Sequence, residues 1–178
     1  MKFKGNRITL SSVTKEDLGF LCELECNKDV WLFEEFVEND HNVVKSKYLE
    51  QMYSNTHVDF IMTIETDNEI KRIGLVQIWS YVAHRNSWEL GFGILPEYQG
   101  YGYGYEAVKL LVDYVFKELE ASKIVGMCNS LNQQSINLME KLKMTREGTF
   151  KQELKWNNEW HDQHFYSILV SEWENLIN

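Results

Sequence analysis

The sequence predicts an α/β (α+β) protein, strands and helices interspersed along a chain of 178 residues. Three observations point to it. Apolar runs of strand length alternate with segments whose apolar residues recur at helical spacing. The clearest unit is Trp88-Glu89-Leu90-Gly91-Phe92-Gly93-Ile94-Leu95, a glycine-rich turn, then Val108, Leu111, Val112, Val115, Phe116 and Leu119 at helical intervals. The chain is also long enough to bury about 70% of the surface its unfolded form exposes, so a core needs neither disulfides nor a structural metal.

The elements follow in order. Residues 7–10 are expected as a first strand. Thr14, with Asp17 three residues later, is an N-cap candidate for a helix burying Leu18, Leu21 and Cys22. A second helical stretch covers about 43–53. Strands are expected at 60–64 and 73–79, joined by the polar turn Asp67-Asn68-Glu69, and at 87–95. After the glycine turn and its helix come a strand at 123–128, a helix at 133–143, and strands at 149–156 and 160–170 split by Asn157-Asn158. No repeat, linker or low-complexity segment interrupts them, so residues 1–178 read as a single domain.

Composition narrows the function. The net charge of −9 argues against a nucleic-acid surface, which needs clustered Lys and Arg, and suits a cationic substrate. Acidic residues concentrate early: Glu16, Asp17, Glu23, Glu25, Asp29, Glu34, Glu35, Glu38 and Asp40 meet only Lys28. Such a run is either a solvated face or an electrostatic funnel for an amine. No apolar run approaches a membrane span and Met1-Lys2-Phe3-Lys4-Gly5 lacks a signal-peptide core, so no membrane partner and a cytoplasmic location are expected. Cys22, Cys26 and Cys128 lack the neighbours of a metal site, and they read as reduced, core-type thiols. No metal is expected.

The chemistry lies at the turn Pro96-Glu97-Tyr98-Gln99-Gly100-Tyr101-Gly102-Tyr103-Gly104. Glycines at alternate positions before a helix expose backbone N–H groups that lack intrahelical partners, a ready anion cradle. A terminal-phosphate loop would need Gly-Lys-Ser/Thr, and a dinucleotide fingerprint would need a glycine at 105; neither is present. A phosphorylated cofactor or a purely structural turn remains. Upstream, Gly91 and Gly93 mark a strand that bulges or is closely approached.

Trp88-Glu89-Leu90-Gly91-Phe92 through Pro96-Glu97-Tyr98-Gln99-Gly100-x-Gly102-x-Gly104-x-Glu106-Ala107 resembles the acetyl-CoA signature of the GCN5-related N-acetyltransferases. It is most similar to the branch of ribosomal-protein N-terminal and bacterial spermidine acetyltransferases. Asn132-x-x-Ser135, Glu140-Lys141-Leu142, Arg146-Glu147-Gly148-Thr149-Phe150 and Trp160-x-Asp162 followed by Tyr166 extend the likeness over roughly residues 60–170. The resemblance implies a GNAT-like acyl-CoA N-acyltransferase fold, a mixed twisted sheet flanked by helices. It also implies acetyl-CoA as donor and a primary amine as acceptor: a protein N-terminus, a polyamine or a small amine.

By the same resemblance, backbone groups of Phe92, Gly93 and Ile94 pair with the pantetheine arm, and amides of Gln99, Gly100, Tyr101, Gly102, Tyr103 and Gly104 receive the pyrophosphate. Asn132 and Ser135 join the cofactor site, or simply cap a helix. Glu89 is the candidate general base, or an ordinary salt-bridging glutamate. Met139 stands where many relatives place an acidic tyrosine; the resemblance to the ribosomal-protein branch implies Ser135 as the group that protonates the thiolate, and Tyr166 is a second candidate. Glu34, Glu35 and Glu153 are candidate acceptor-binding carboxylates; Trp31-Leu32-Phe33-Glu34-Glu35 resembles a polyamine-contacting segment. Trp156 and Trp160 either wall the acceptor pocket or pack across strands. His84-Arg85 precede the cofactor strand, where a histidine relays protons or has no role. Tyr101 replaces a frequent Lys or Arg, and Lys143-Met144 replaces Gly-Phe. A homodimer is among the expected assemblies; a non-catalytic acyl-CoA-binding module and a plain interaction domain are the rival readings.

Overall fold

The computed structural model describes residues 1–66 and 69–177. The expected turn at Asp67-Asn68 lies outside the described residues. The chain forms two compact units: Met1–Leu32, Phe36–Trp79 and Gly91–Leu111 make the first, and Phe33–Glu35, Ser80–Leu90 and the chain from Val112 onward make the second.

In the first unit the strand order is β1 (Lys2–Lys4), β2 (Ile8–Ser12), β3 (His57–Thr66), β4 (Glu69–Val82, ending in the second unit) and the latter half of β5 (Ser87–Ile94). β1 to β4 pair antiparallel, with an irregularity in β3 between Met62 and Thr63. The first strand is one step later than expected, since Arg7 lies outside it, and β1 was not anticipated from three residues of mixed polarity.

Thr14 opens a one-turn 3-10 helix, Lys15–Asp17, that leads into α1 (Leu18–Glu25). The Asp17 carboxylate accepts from the Thr14 N–H at 3.0 Å, the Thr14 hydroxyl at 2.8 Å and Arg72 Nε at 2.8 Å. Leu18, Leu21 and Cys22 are buried as their spacing predicts. α2 (His41–Gln51) starts at Asp40, whose side chain accepts from the Asn42 N–H, and it buries only Val44 and Tyr48, one turn apart. With Leu24, Ile61 and Leu75 these side chains form the core of the first unit.

The second unit carries the mixed pairing. The first half of β5 runs parallel to β6 (Lys123–Asn129); β6 pairs antiparallel with β8 (Glu159–Leu169), and β8 with β7 (Thr145–Trp156). Asn157 and Asn158, at φ 50° and 64°, make the two-residue turn between β7 and β8, where left-handed residues match the strand twist. α3 (Tyr103–Glu118) passes from the first unit into the second, followed by α4 (Gln133–Lys141) and α5 (Val170–Ile177). α5 was not expected: its start read as the end of a strand. It buries Trp173, whose Nε1–H donates to Asp113 on α3 at 2.8 Å. Lys143 takes a left-handed position, φ 64°, just past α4.

Cys22 and Cys128 are buried and Cys26 is half-buried, all unbridged. Burial pushes the Cys128 thiol up to about 11, which removes nucleophilic character at neutral pH. Among the described residues no group of His, Cys, Asp or Glu has metal-holding geometry, and no helix is long and apolar enough to cross a membrane.

Candidate active site

The latter half of β5 and the glycine turn that follows it lie in the first unit. β5 ends at Ile94, Leu95 N–H donates to the Ile73 carbonyl at 2.9 Å, and Pro96–Tyr98 turn through a 3-10 helix. Gly100 and Gly102 then adopt φ +81° and +82°. Only glycine takes this conformation at low cost, so the expected turn has a conformational reason for its composition. Gly104 is buried within the first turn of α3. A Cβ built at Gly100 would meet nothing within 4 Å, and one at Gly102 would meet only Arg7, at 3.4 Å. The backbone here is uncovered, as an anion cradle requires.

Two predicted cofactor contacts have local partners. Gln99 turns its side chain back, donating from Nε2 to the Ile94 carbonyl at 3.0 Å. Tyr101 is exposed and stacks on Tyr103 with centroids 5.8 Å apart. Phe92 is half-buried, while Gly93 and Ile94 are buried. The alternating glycines of β5 are explained by two indoles: a Cβ at Gly91 would lie 2.9 Å from Trp79 Cζ3, and one at Gly93 would lie 2.7 Å from Trp31 Cζ2. Trp31 is in turn held by its Nε1–H donating to the Leu24 carbonyl at 3.0 Å.

A buried polar chain in the same unit went unread in the sequence. Gln77 Nε2 donates to Asp59 Oδ1 at 2.8 Å and to the Tyr48 hydroxyl at 3.1 Å; Tyr48 donates to Glu25. His57 Nε2 lies 2.8 Å from Asp59 Oδ1, and its ring stacks on Trp79 at 6.0 Å. Burial, followed by the charge of Glu25, pushes the Tyr48 hydroxyl far above its ordinary range, so it stays a neutral donor. Its members come from α1, α2, β3 and β4, His57 and Asp59 sharing β3, at no motif spacing, which is why no sequence signal marks it.

The remaining candidates lie in the second unit. Glu89 is half-buried on β5. Asn132 caps α4, its side chain accepting from the Ser135 N–H at 3.1 Å, and Ser135 is half-buried in the first turn. The capping role is therefore present, whatever else the two residues do. Met139 is 2% exposed, and its sulfur would lie 2.9 Å from a Cβ at Gly126. Tyr166 is 1% exposed, with its hydroxyl donating to Glu140 at 3.3 Å. Burial first, and then the Glu140 charge, push that hydroxyl up.

Three predicted acceptor residues gather at β7. Its register slips between Phe150 and Leu154, with Gln152 at φ 52° donating its N–H to Asp162 Oδ1 at 2.9 Å, and this bulge carries the exposed Glu153. The segment 33–35 lies along the same strand. Phe33 stacks on Trp156 with centroids 5.4 Å apart, and Lys155 N–H donates to Glu35 Oε1 at 2.6 Å. Glu34 is exposed beside them. Trp156 also meets His161 edge-on, whereas Trp160 is 58% exposed and packs little.

A sequence model of the acetyltransferase (GNAT) domain matches residues 7–145, which run through both units. The chain belongs to the GNAT acetyltransferase family. This GNAT chain is 37% identical over 101 residues to the uncharacterized N-acetyltransferase YnaD of Bacillus subtilis, covering 57% of this chain and 59% of that relative. Over 172 residues it is 27% identical to the spermidine N(1)-acetyltransferase of Vibrio cholerae, covering 96% of this chain and 97% of the relative.

Among solved structures, a GNAT-family acetyltransferase from Bacillus anthracis superposes with a TM-score of 0.83 at 26% identity, covering 97% of this chain and all of the other. The spermidine N-acetyltransferase of Vibrio cholerae in complex with CoA and spermine gives 0.86 at 24% identity, covering 96% and 100%, a likeness of fold.

Proposed function

We propose that residues 1–178 act as one N-acetyltransferase domain, moving an acetyl group from acetyl-CoA to a primary amine by direct attack in a ternary complex. The left-handed pair Gly100 and Gly102, opening α3 directly after β5, carries this reading. Its uncovered amides fit a pyrophosphate. Bound acetyl-CoA supplies the activated acyl group as a thioester. The chain's own backbone at Phe92 and Gly93 orients the pantetheine arm, and a β5 N–H supports the charge that develops on the carbonyl oxygen.

An alkylamine with a pKa near 10.4 is only about 0.04% neutral at pH 7, so a proton must leave before attack. Glu89 takes it. Ser135 returns a proton to the departing thiolate; Tyr166 suits that step less well, being buried and already bonded to Glu140. Glu34, Glu35 and Glu153 at the β7 bulge receive the acceptor's positive charge, and the net charge of −9 draws it in. A polyamine fits these carboxylates best, a reading supported by the spermidine acetyltransferase relative. We place the enzyme in the cytoplasm, without nucleic acid or membrane partners, with a homodimer as the assembly to test.

The test is release of free CoA across a panel of spermidine, spermine, small amines and peptide N-termini. Turnover with one class assigns the acceptor. No binding of acetyl-CoA, or binding of Gly102→Trp as tight as the parent, overturns the cradle. A second reading, a non-catalytic acyl-CoA-binding module, is favoured by the buried Met139, which offers no acid where the family resemblance implies a tyrosine; it predicts tight binding and no release.

A further inference from the structure

The cradle has no cation of its own: Gln99 to Gly104 contains neither Lys nor Arg. A guanidinium reaches it from the other end of the sequence. Arg7, just before β2, donates from Nη1 to the Tyr101 carbonyl at 2.8 Å, and its Nη2 stands 3.4 Å from the Cβ position of Gly102. Its guanidinium carbon lies 5.2 Å from the centre of the Tyr103 ring.

Glu106 on α3 fixes the arginine. One carboxylate oxygen accepts the Arg7 N–H at 2.7 Å and the other accepts Nε at 3.0 Å. Burial pushes the Glu106 carboxyl up, but the hydrogen bonds from Arg7 and Ile8 outweigh it and hold the group below its usual range. The pair is therefore ionised at neutral pH, and a gap at Gly5 accommodates it: a Cβ there would lie 2.6 Å from Glu106 Oε1.

Peptide planarity turns these contacts into a directional device. The Tyr101 C=O and the Gly102 N–H belong to one trans peptide plane and point in opposite directions. Fastening the carbonyl to Arg7 therefore aims the Gly102 N–H away from Arg7, and it prevents the peptide from flipping an oxygen into the anion site. Glycine at φ +82° has no side chain to oppose such a flip, so the lock has to come from elsewhere.

We infer that Arg7 is a positioning residue for the donor, locking the Tyr101–Gly102 peptide so that the Gly102 N–H faces the pyrophosphate. This rests on reading the glycine turn as the CoA cradle. The role needs a bidentate, directional donor as well as charge, so lysine cannot replace it.

The test compares Arg7→Met and Arg7→Lys with the parent in the full chain, using acetyl-CoA and, separately, S-acetylpantetheine, which lacks the pyrophosphate. With acetyl-CoA, KM rises about tenfold in both variants, the effect of one lost charge-assisted hydrogen bond, while kcat and the amine KM stay within about twofold. With S-acetylpantetheine, kcat/KM is unchanged. Recovery of the parent KM by Arg7→Lys shows that charge suffices and overturns the inference; an equal loss with both donors also overturns it, as general damage. If Arg7→Met does not fold, Glu106→Gln, which weakens the fastening while keeping the cation, shows a smaller rise in the same KM, and no rise refutes the lock. Parent protein that binds no CoA removes the cradle reading itself, a result distinct from variants that bind like the parent.

Discussion

The indole of Trp31 occupies the space that a side chain at Gly93 would need: a Cβ there would lie 2.7 Å from Cζ2 and 2.8 Å from Cη2. The indole is tethered through Nε1 to Leu24 and cannot retreat freely. Gly93→Ala therefore destabilises by about 1–3 kcal/mol, the cost of overpacking a filled core. Urea unfolding measures it, and Gly93→Ala combined with Trp31→Leu costs less than the sum of the two single changes.

Gly100 isolates backbone strain from steric clash. A Cβ at this position meets nothing, yet φ is +81°. Gly100→Ala costs about 1–2 kcal/mol in stability, whereas Gly100→Asn costs less because Asn tolerates the left-handed region. Thermal denaturation of the two variants gives the order, and equal losses would refute the strain argument.

Asp59 tests the buried polar chain. It accepts from Gln77 and lies against His57 with only 6% of its side chain exposed, so Asp59→Ala strands two partners away from water. The expected loss is about 2–4 kcal/mol. The combined Asp59→Ala and Gln77→Leu change recovers part of it, since fewer buried groups are left unpaired.

Asp17 gives a pH dependence of known sign. Burial raises its carboxyl, but the Thr14 and Arg72 hydrogen bonds outweigh that and place it below its ordinary value of 3.8 in the folded chain. Its contribution is therefore present above about pH 3.8 and lost as pH falls through the lowered folded value. Asp17→Asn is less stable than the parent by roughly 1–2 kcal/mol at pH 7, and the gap closes at acid pH. Urea midpoints at pH 7, 5 and 3 record the closure; a constant gap would contradict it.

The strand, glycine turn and helix of residues 87–118 were legible because their signals are local. Alternate glycines answer to φ values at their own positions, and the helix after them shows its buried face in residue spacing. The Asn157-Asn158 turn and the Thr14-to-Asp17 cap were readable for the same reason. β1 and α5 were missed: three residues carry no period, and an eight-residue helix following directly on β8 reads as more strand.

By itself the sequence determined the order of the elements other than β1 and α5, the glycine turn, the family and the acid excess. Each of these is written in neighbouring residues or in a sum over all of them. Only the tertiary structure decided which residues reach the glycine turn and β5 from afar. Arg7 fastens the Tyr101 carbonyl, Trp31 and Trp79 explain the glycines of β5, and the segment holding Glu34 and Glu35 docks on β7, the strand that carries Glu153. The reason is physical: such contacts depend on distances set by the packing of sheet and helices, to which spacing along the chain gives no guide.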